Sequence, residues 1–244
     1  MRRLPAVALV LTLGFAFAAC GNDKKAADTT TTTSAPTTTT STTSLTSTSP
    51  VALALDDSIL TGQQVQAALG VSAAVNAYPG TSTAPPPPQG PLSVSGIAKV
   101  FPSDAYKGLL EQAKAVAGAN RTYLVPSGTS GYVVNVLAIK FPDAANGGTF
   151  VTSASQVATT FGGGKANSHP EVKIGVTPGT VLVVPPAPGA TNENVVTLAL
   201  YQDGVYYQVS AAAPPGMVKD DVVIKLLKAQ DAKYQGKKGS IPAA

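Results

Sequence analysis

Side chains able to do acid–base, nucleophilic or metal chemistry are sparse in this chain, so their spacing carries much of the argument. His169 is the only histidine among 244 residues, and it directly follows Ser168. A nucleophile and base must face each other, which neighbouring residues rarely do, and no Gly-x-Ser-x-Gly elbow is present. The stretch Gly162-Gly163-Gly164-Lys165-Ala166-Asn167 just before it reads as a flexible turn, so His169 is expected in an exposed loop, with a Ser-His pair as the catalytic alternative. Gly164-Lys165 fails as a phosphate loop, because position 159 is Thr and position 166 is Ala. Asp56-Asp57 is read as preceding a helix and Asp220-Asp221 as opening another, where carboxylates gain about 0.3–1 kcal/mol from the helix dipole. No EF-hand spacing is found for calcium, and one histidine is too few for a zinc site. The expectation is no catalytic residue, no metal site and no cofactor.

Cys20, the only cysteine, has a different chemistry. Arg2 and Arg3 form a positive leader, and Val7 to Ala19 form an apolar run shorter than the ~20 helical residues that cross a bilayer. Phe17-Ala18-Ala19-Cys20-Gly21 closes that run as a lipobox: small residues admit a peptidase before Cys20, whose thiol then carries a diacylglyceryl group. Phe17 stands where Leu is usual. Ordinary secretory cleavage after Ala19, leaving a free thiol, is the alternative. Residues 1–19 are thus read as signal peptide and Cys20 as the lipidation site, with Gly21 suiting retention at the outer face of the plasma membrane.

Without the leader, 15 basic residues face 13 acidic ones, a formal charge of +2. So small a balance, spread along the chain, excludes a nucleic-acid footprint. Residues 29–49 hold 13 Thr and 5 Ser in 21 positions. Such a segment cannot bury enough apolar surface to offset ~1–2 kcal/mol of backbone entropy per residue. Residues 20–50 are therefore read as a disordered stalk, O-glycosylated or bare, and residues 51–244 as one globular domain.

Within that domain, Thr61 and Gln64 form a capping box, Leu60 staples onto Val65, and Gly70 ends the helix. Pro85 to Pro88 impose polyproline geometry, read as a surface loop or as a ligand for an aromatic groove on a partner. Val94 to Phe101 reads as a strand. Pro102-Ser103-Asp104 then opens a helix burying Tyr106, Leu109, Leu110, Ala113 and Ala117. Tyr132 to Phe141 reads as a strand buried on both faces, and Pro142-Asp143 opens a helix burying Phe150, Ala154, Val157, Ala158 and Phe161. The similar junctions at 98–105 and 138–144 are either a duplicated strand-to-helix unit or chance. Glu171 to Val176 and Thr180 to Val184 read as strands around Pro178-Gly179. Asp203-Gly204 as a two-residue turn pairs Leu200 with Tyr207, Leu198 with Val209 and Val196 with Ala211. A last helix directs Val218, Val222, Leu226 and Leu227 inward and Lys219, Lys225 and Lys228 outward, and Lys237-Lys238 beyond it is read as a frayed tail or a contact for anionic lipid. The fold expected is α+β, an antiparallel-rich β-sheet packed against three or four helices.

The leader, lipobox, Thr-rich stalk and capped Leu60-Thr61 opening resemble actinobacterial, particularly mycobacterial, cell-envelope lipoproteins of unknown function. The domain is more distantly similar to extracellular sensor domains of membrane kinases, although the Trp and paired Cys of those domains are absent here. The resemblance implies acylation at Cys20 and carries over no other residue. The function expected is a lipid-anchored, extracytoplasmic, non-catalytic binding domain whose partner is the membrane plus an envelope protein, lipid or glycan. The alternatives are an envelope hydrolase and a carrier of an apolar ligand.

Overall fold

A computed structural model describes residues 44–81, 85–101, 103–128, 130–187 and 189–244. The expected signal peptide, Cys20 and most of the expected stalk lie outside the described residues. In chain order the main elements are α1 (Pro50–Ser58), α2 (Gly62–Leu69), β1 (Asn76–Ala77), β2 (Gly90–Leu92), α3 (Val94–Ala98), α4 (Ala105–Gln112), β3 (Ala117–Ser127), β4 (Ser130–Lys140), α5 (Ala144–Gln156), β5 (Lys165–Ile174), β6 (Thr177–Val184), β7 (Glu193–Leu200), β8 (Val205–Ala213) and α6 (Asp220–Lys237). The strands make one antiparallel sheet in the order β1-β3-β4-β8-β7-β6-β5, with β2 also paired to β3.

Helices cover both faces of this sheet. On one, Leu55 and Ile59 of α1, Val65 of α2 and Val223, Leu226 and Leu227 of α6 pack over Val136, Ala138, Tyr207 and Val209. On the other, Ile97, Tyr106, Leu110 and Phe150 of α3, α4 and α5 pack over Leu137, Ile139, Leu200 and Tyr206. Strand β4 sends successive residues into the two layers, which is why residues 132–141 are almost continuously apolar. The capping box forms, with Thr61 N donating to Gln64 Oε1 at 2.9 Å.

Several local expectations are overturned. Val94–Ala98 is helical, because Ser93 Oγ accepts from Gly96 N and caps it. The strand at this place is β2, just upstream. The 98–105 junction therefore joins helix to helix while 138–144 joins strand to helix, and no duplicated unit exists. Helix α4 stops at Gln112, Lys114 turns left-handed at φ 55°, and Ala117 begins β3. In the β5–β6 hairpin the reversal falls at Gly175-Val176, and Pro178-Gly179 lies within β6.

The β7–β8 register also differs by one. Tyr201 N donates to Val205 O and Gly204 N to Tyr201 O, so three residues form the loop, with Gly204 left-handed at its end. Thr197 therefore faces Val209 and Leu198 faces Gln208. The Leu198–Val209 pair expected above is split between the two layers.

Residues 44–49, assigned on composition to the stalk, belong to the fold. Ser93 N donates to Leu45 O, Ser47 N to Pro91 O, and Ser49 Oγ caps α1. These are backbone bonds and a cap, which hydropathy does not register. Gly96 permits the approach: a Cβ there would lie 2.1 Å from Leu45 O. Gly96→Ala should therefore free residues 44–49 while the rest stays folded, moving the first protease-resistant residue from near Ser44 to near Pro50, as N-terminal sequencing of the core would read.

Candidate functional site

Two places gather titratable groups. The first is built by the sheet-edge strand β5. Its pairing with β6 is regular to Ser168↔Thr180 and resumes at Lys173↔Pro178, so residues 169–172 bulge opposite Gly179 alone. The bulge carries His169 to the start of α6. There His169 Nε2 lies 3.0 Å from Asp220 Oδ2 and Nδ1 lies 2.9 Å from Glu171 Oε1. Asn167 Nδ2 donates to Asp220 Oδ2 at 2.8 Å.

His169 is thus in a bulged strand, not a free loop, and Asp220 ties that strand to α6 besides standing in the helix's first turn. Ser168 is exposed and has no hydrogen bond to His169 among the described residues, as alternation along a strand dictates. The two carboxylates hold opposite nitrogens of one ring and do not converge on a point. Among the described residues no group of three His, Cys, Asp or Glu is placed to hold a metal ion.

Bonding to Asp220 first, and to Glu171 next, raises the His169 pKa above its ordinary 6.5. The Glu171 carboxyl is held below its usual 4.5, by its own backbone N–H first and by His169 next. A raised folded-state pKa means that this clamp contributes fully below pH 6.5, and that its contribution is lost as pH rises through the raised value. The stability gap between the native chain and His169→Gln should therefore be larger at about pH 5.5 than at about pH 9, as urea midpoints at the two pH values will report.

The other acidic pair is placed differently from expectation. Asp56 and Asp57 precede α2 but lie within the last turn of α1, and the unfavourable dipole there is met by cations. Arg121 Nε and Nη2 reach Asp56 at 3.1 and 3.0 Å, and Lys237 Nζ reaches Asp57 at 2.6 Å. Lys237 thereby holds Asp57 below the usual carboxylate range. Lys237 is accordingly the last residue of α6 and not part of a frayed tail. Asp221 pairs with Lys225 at 3.1 Å on the surface.

The second place is an open cleft of about 870 Å³ at one end of the sheet, between the 175–176 turn, the 202–204 turn and the end of α6 with the segment after it. Two tyrosines, Tyr201 and Tyr234, wall its inner side, backed by the fully buried Tyr207. Tyr201 and Tyr234 lie ring on ring with centroids 3.9 Å apart, and Tyr207 meets both edgewise. Tyr201 OH donates to Asp231 and Tyr234 OH to Asp203, each at 2.8 Å. Burial is the first cause raising all three phenols well above their ordinary pKa, so they remain neutral donors. Lys140 closes the floor, only 3% exposed, its ammonium donating to the Asp203 carbonyl. Reading residues by local spacing misses this group. One signal was present: Lys140 is the one charge in the apolar run 132–141.

No protein-family model matches the chain, and no curated protein matches it. Among solved structures it is similar to the extracellular domain of PknH from Mycobacterium tuberculosis, at 16% identity and a TM-score of 0.46, over 74% of this chain and 95% of that one.

Proposed function

We propose that the chain is an extracytoplasmic binding domain, tethered through acylated Cys20 to the outer face of the plasma membrane, that recognises its partner without catalysing a reaction. The observation that supports this most is the state of His169. General acid–base work near neutral pH most often falls to histidine, and here both ring nitrogens are already bonded to carboxylates. The imidazole joins a strand to a helix, its pKa raised by both carboxylates, with no nitrogen left for a substrate proton. The acidic pairs are likewise engaged by Arg121, Lys237, His169 and Lys225. A surface presented on a lipid anchor suits this inventory, since ~0.8 kcal/mol per buried methylene makes a multi-chain anchor stable.

The tether and the mode of action are tested separately. Cys20→Ser should move the protein out of the membrane fraction or leave its leader uncleaved, and unchanged detergent partitioning of a chain with no acyl mass contradicts the anchor. For the mode of action, the purified full chain is assayed for esterase, peptidase and glycosidase turnover. The expected result is none. Turnover that survives purification and collapses in folded His169→Ala would establish the hydrolase alternative.

A further inference from the structure

We infer that the cleft floored by Lys140 is a binding site for an oxyanion, the phosphate or carboxylate group of a small ligand. The inference rests on the binding reading and names its site. Lys140 stands at the end of β4 opposite Val205 and, at 3% exposure, is the one charged residue among the buried polar side chains of the described residues. Its ammonium has three donors, and the partner it meets is a neutral carbonyl, that of Asp203. The Asp203 carboxylate is turned to other donors: Oδ2 takes the Tyr234 hydroxyl and Oδ1 the Val205 amide. Among the described residues no carboxylate lies within 4.0 Å of the Lys140 ammonium.

A buried charge without a counter-charge is costly, and natural structures pair it. Here the ammonium borders open space large enough for a ligand, since small-molecule sites run from about 300 to 1,000 Å³ and this cleft holds about 870 Å³. Among the described side chains lining the cleft the one carboxylate is that of Asp203, both of whose oxygens are engaged. Exposed Lys238 adds a second cation at the rim, and Gln202 and Gln235 line the same space with amide groups. Tyr201 and Tyr234 present ring surface beside it, fitting an organic body attached to the charged group. An oxyanion seated here supplies the missing counter-charge to Lys140 and an accepting partner for its remaining donors.

The test uses the full chain in detergent, with melting followed against inorganic phosphate and, separately, succinate, at ionic strength matched with potassium chloride. At least one should raise the melting temperature saturably, by roughly 3 °C, and the one that acts identifies the class. Vesicles of phosphatidylglycerol against phosphatidylcholine then separate a lipid headgroup from a soluble ligand: a shift reproduced only by the anionic vesicles assigns the phosphate to lipid. Lys140→Met should abolish the response while melting no lower than the native chain, because it removes an uncompensated charge. Lys238→Glu, at the exposed rim, should also abolish it and decides the matter if Lys140→Met does not fold. No saturable shift from any probe, or a shift that persists in both variants, overturns the site. Retained mass in native mass spectrometry without any anion effect would overturn the cleft assignment and leave the binding reading standing, whereas His169-dependent turnover would overturn that reading itself.

Discussion

Phe150→Ala should lower the unfolding free energy by about 3–5 kcal/mol, the range for removing a fully buried aromatic ring. Phe150 is 0% exposed and stands at the centre of the layer formed by α3, α4 and α5. Its ring meets Phe101 at 5.8 Å, Phe141 at 5.4 Å and Tyr206 at 5.5 Å between centroids, in edgewise or tilted contacts. Truncation opens a void among three other rings whose backbones belong to different elements and cannot close on it together. For a chain of this size the loss corresponds to a fall in Tm on the order of 10 °C. The effect should spare the His169 clamp and the Lys140 cleft, because both involve the α6 side of the sheet. A loss below about 1 kcal/mol in urea denaturation would mean that this second layer is not packed as described.

Gly204→Ala should cost about 2 kcal/mol or more, and its damage falls on the cleft. Gly204 has φ 79°, and a Cβ would lie 2.4 Å from Phe141 O and 2.9 Å from Asp143 N. Left-handed strain alone is worth roughly 1–2 kcal/mol for a residue with a Cβ, and here the obstruction is backbone that cannot rotate away. The turn must shift, taking with it Asp203, which holds Tyr234 through its carboxylate and Lys140 through its carbonyl. Thermal melting together with the near-ultraviolet tyrosine signal should therefore change together. A variant with unchanged melting would show that the three-residue turn is misassigned.

The same turn shows what was legible in the sequence. Asp203-Gly204 marks the hairpin, and alternation marks its strands, yet a two-residue turn and a three-residue turn ending in left-handed glycine carry the same signature. The position of the reversal could be read while the register could not. In β7 both faces are buried, so either register places apolar residues inside and the pattern does not discriminate. The antiparallel α+β architecture was readable because the Asp203-Gly204 turn marks an antiparallel hairpin, residues 132–141 are almost continuously apolar and α2 carries its own cap. The strand expected over 94–101 failed because Ser93 caps a short helix there, a bond that overrides the β-branched content of Val94, Ile97 and Val100.

The candidate sites were less legible for a related reason. His169 and Asp220 are 51 residues apart, and only the β5 bulge brings them together. Local spacing holds no trace of that, so His169 read as a loop residue and Asp220 as a helix-start charge. That Asp56 and Asp57 end α1 was hidden because Ser49, which caps it, falls in the Ser/Thr-rich stretch where one capping residue cannot be told from its neighbours.

If His169 is a structural clamp between β5 and α6 rather than a catalytic base, nitrogen-detected NMR of its ring in the full chain shows it directly. The titration midpoint should lie above the ordinary 6.5, so that at pH 6.5 most rings carry protons on both nitrogens, and Asp220→Asn should bring the midpoint down. A ring that titrates at or below 6.5 would leave a free base at the α6 start and contradict a binding domain in which His169 serves only as a structural clamp.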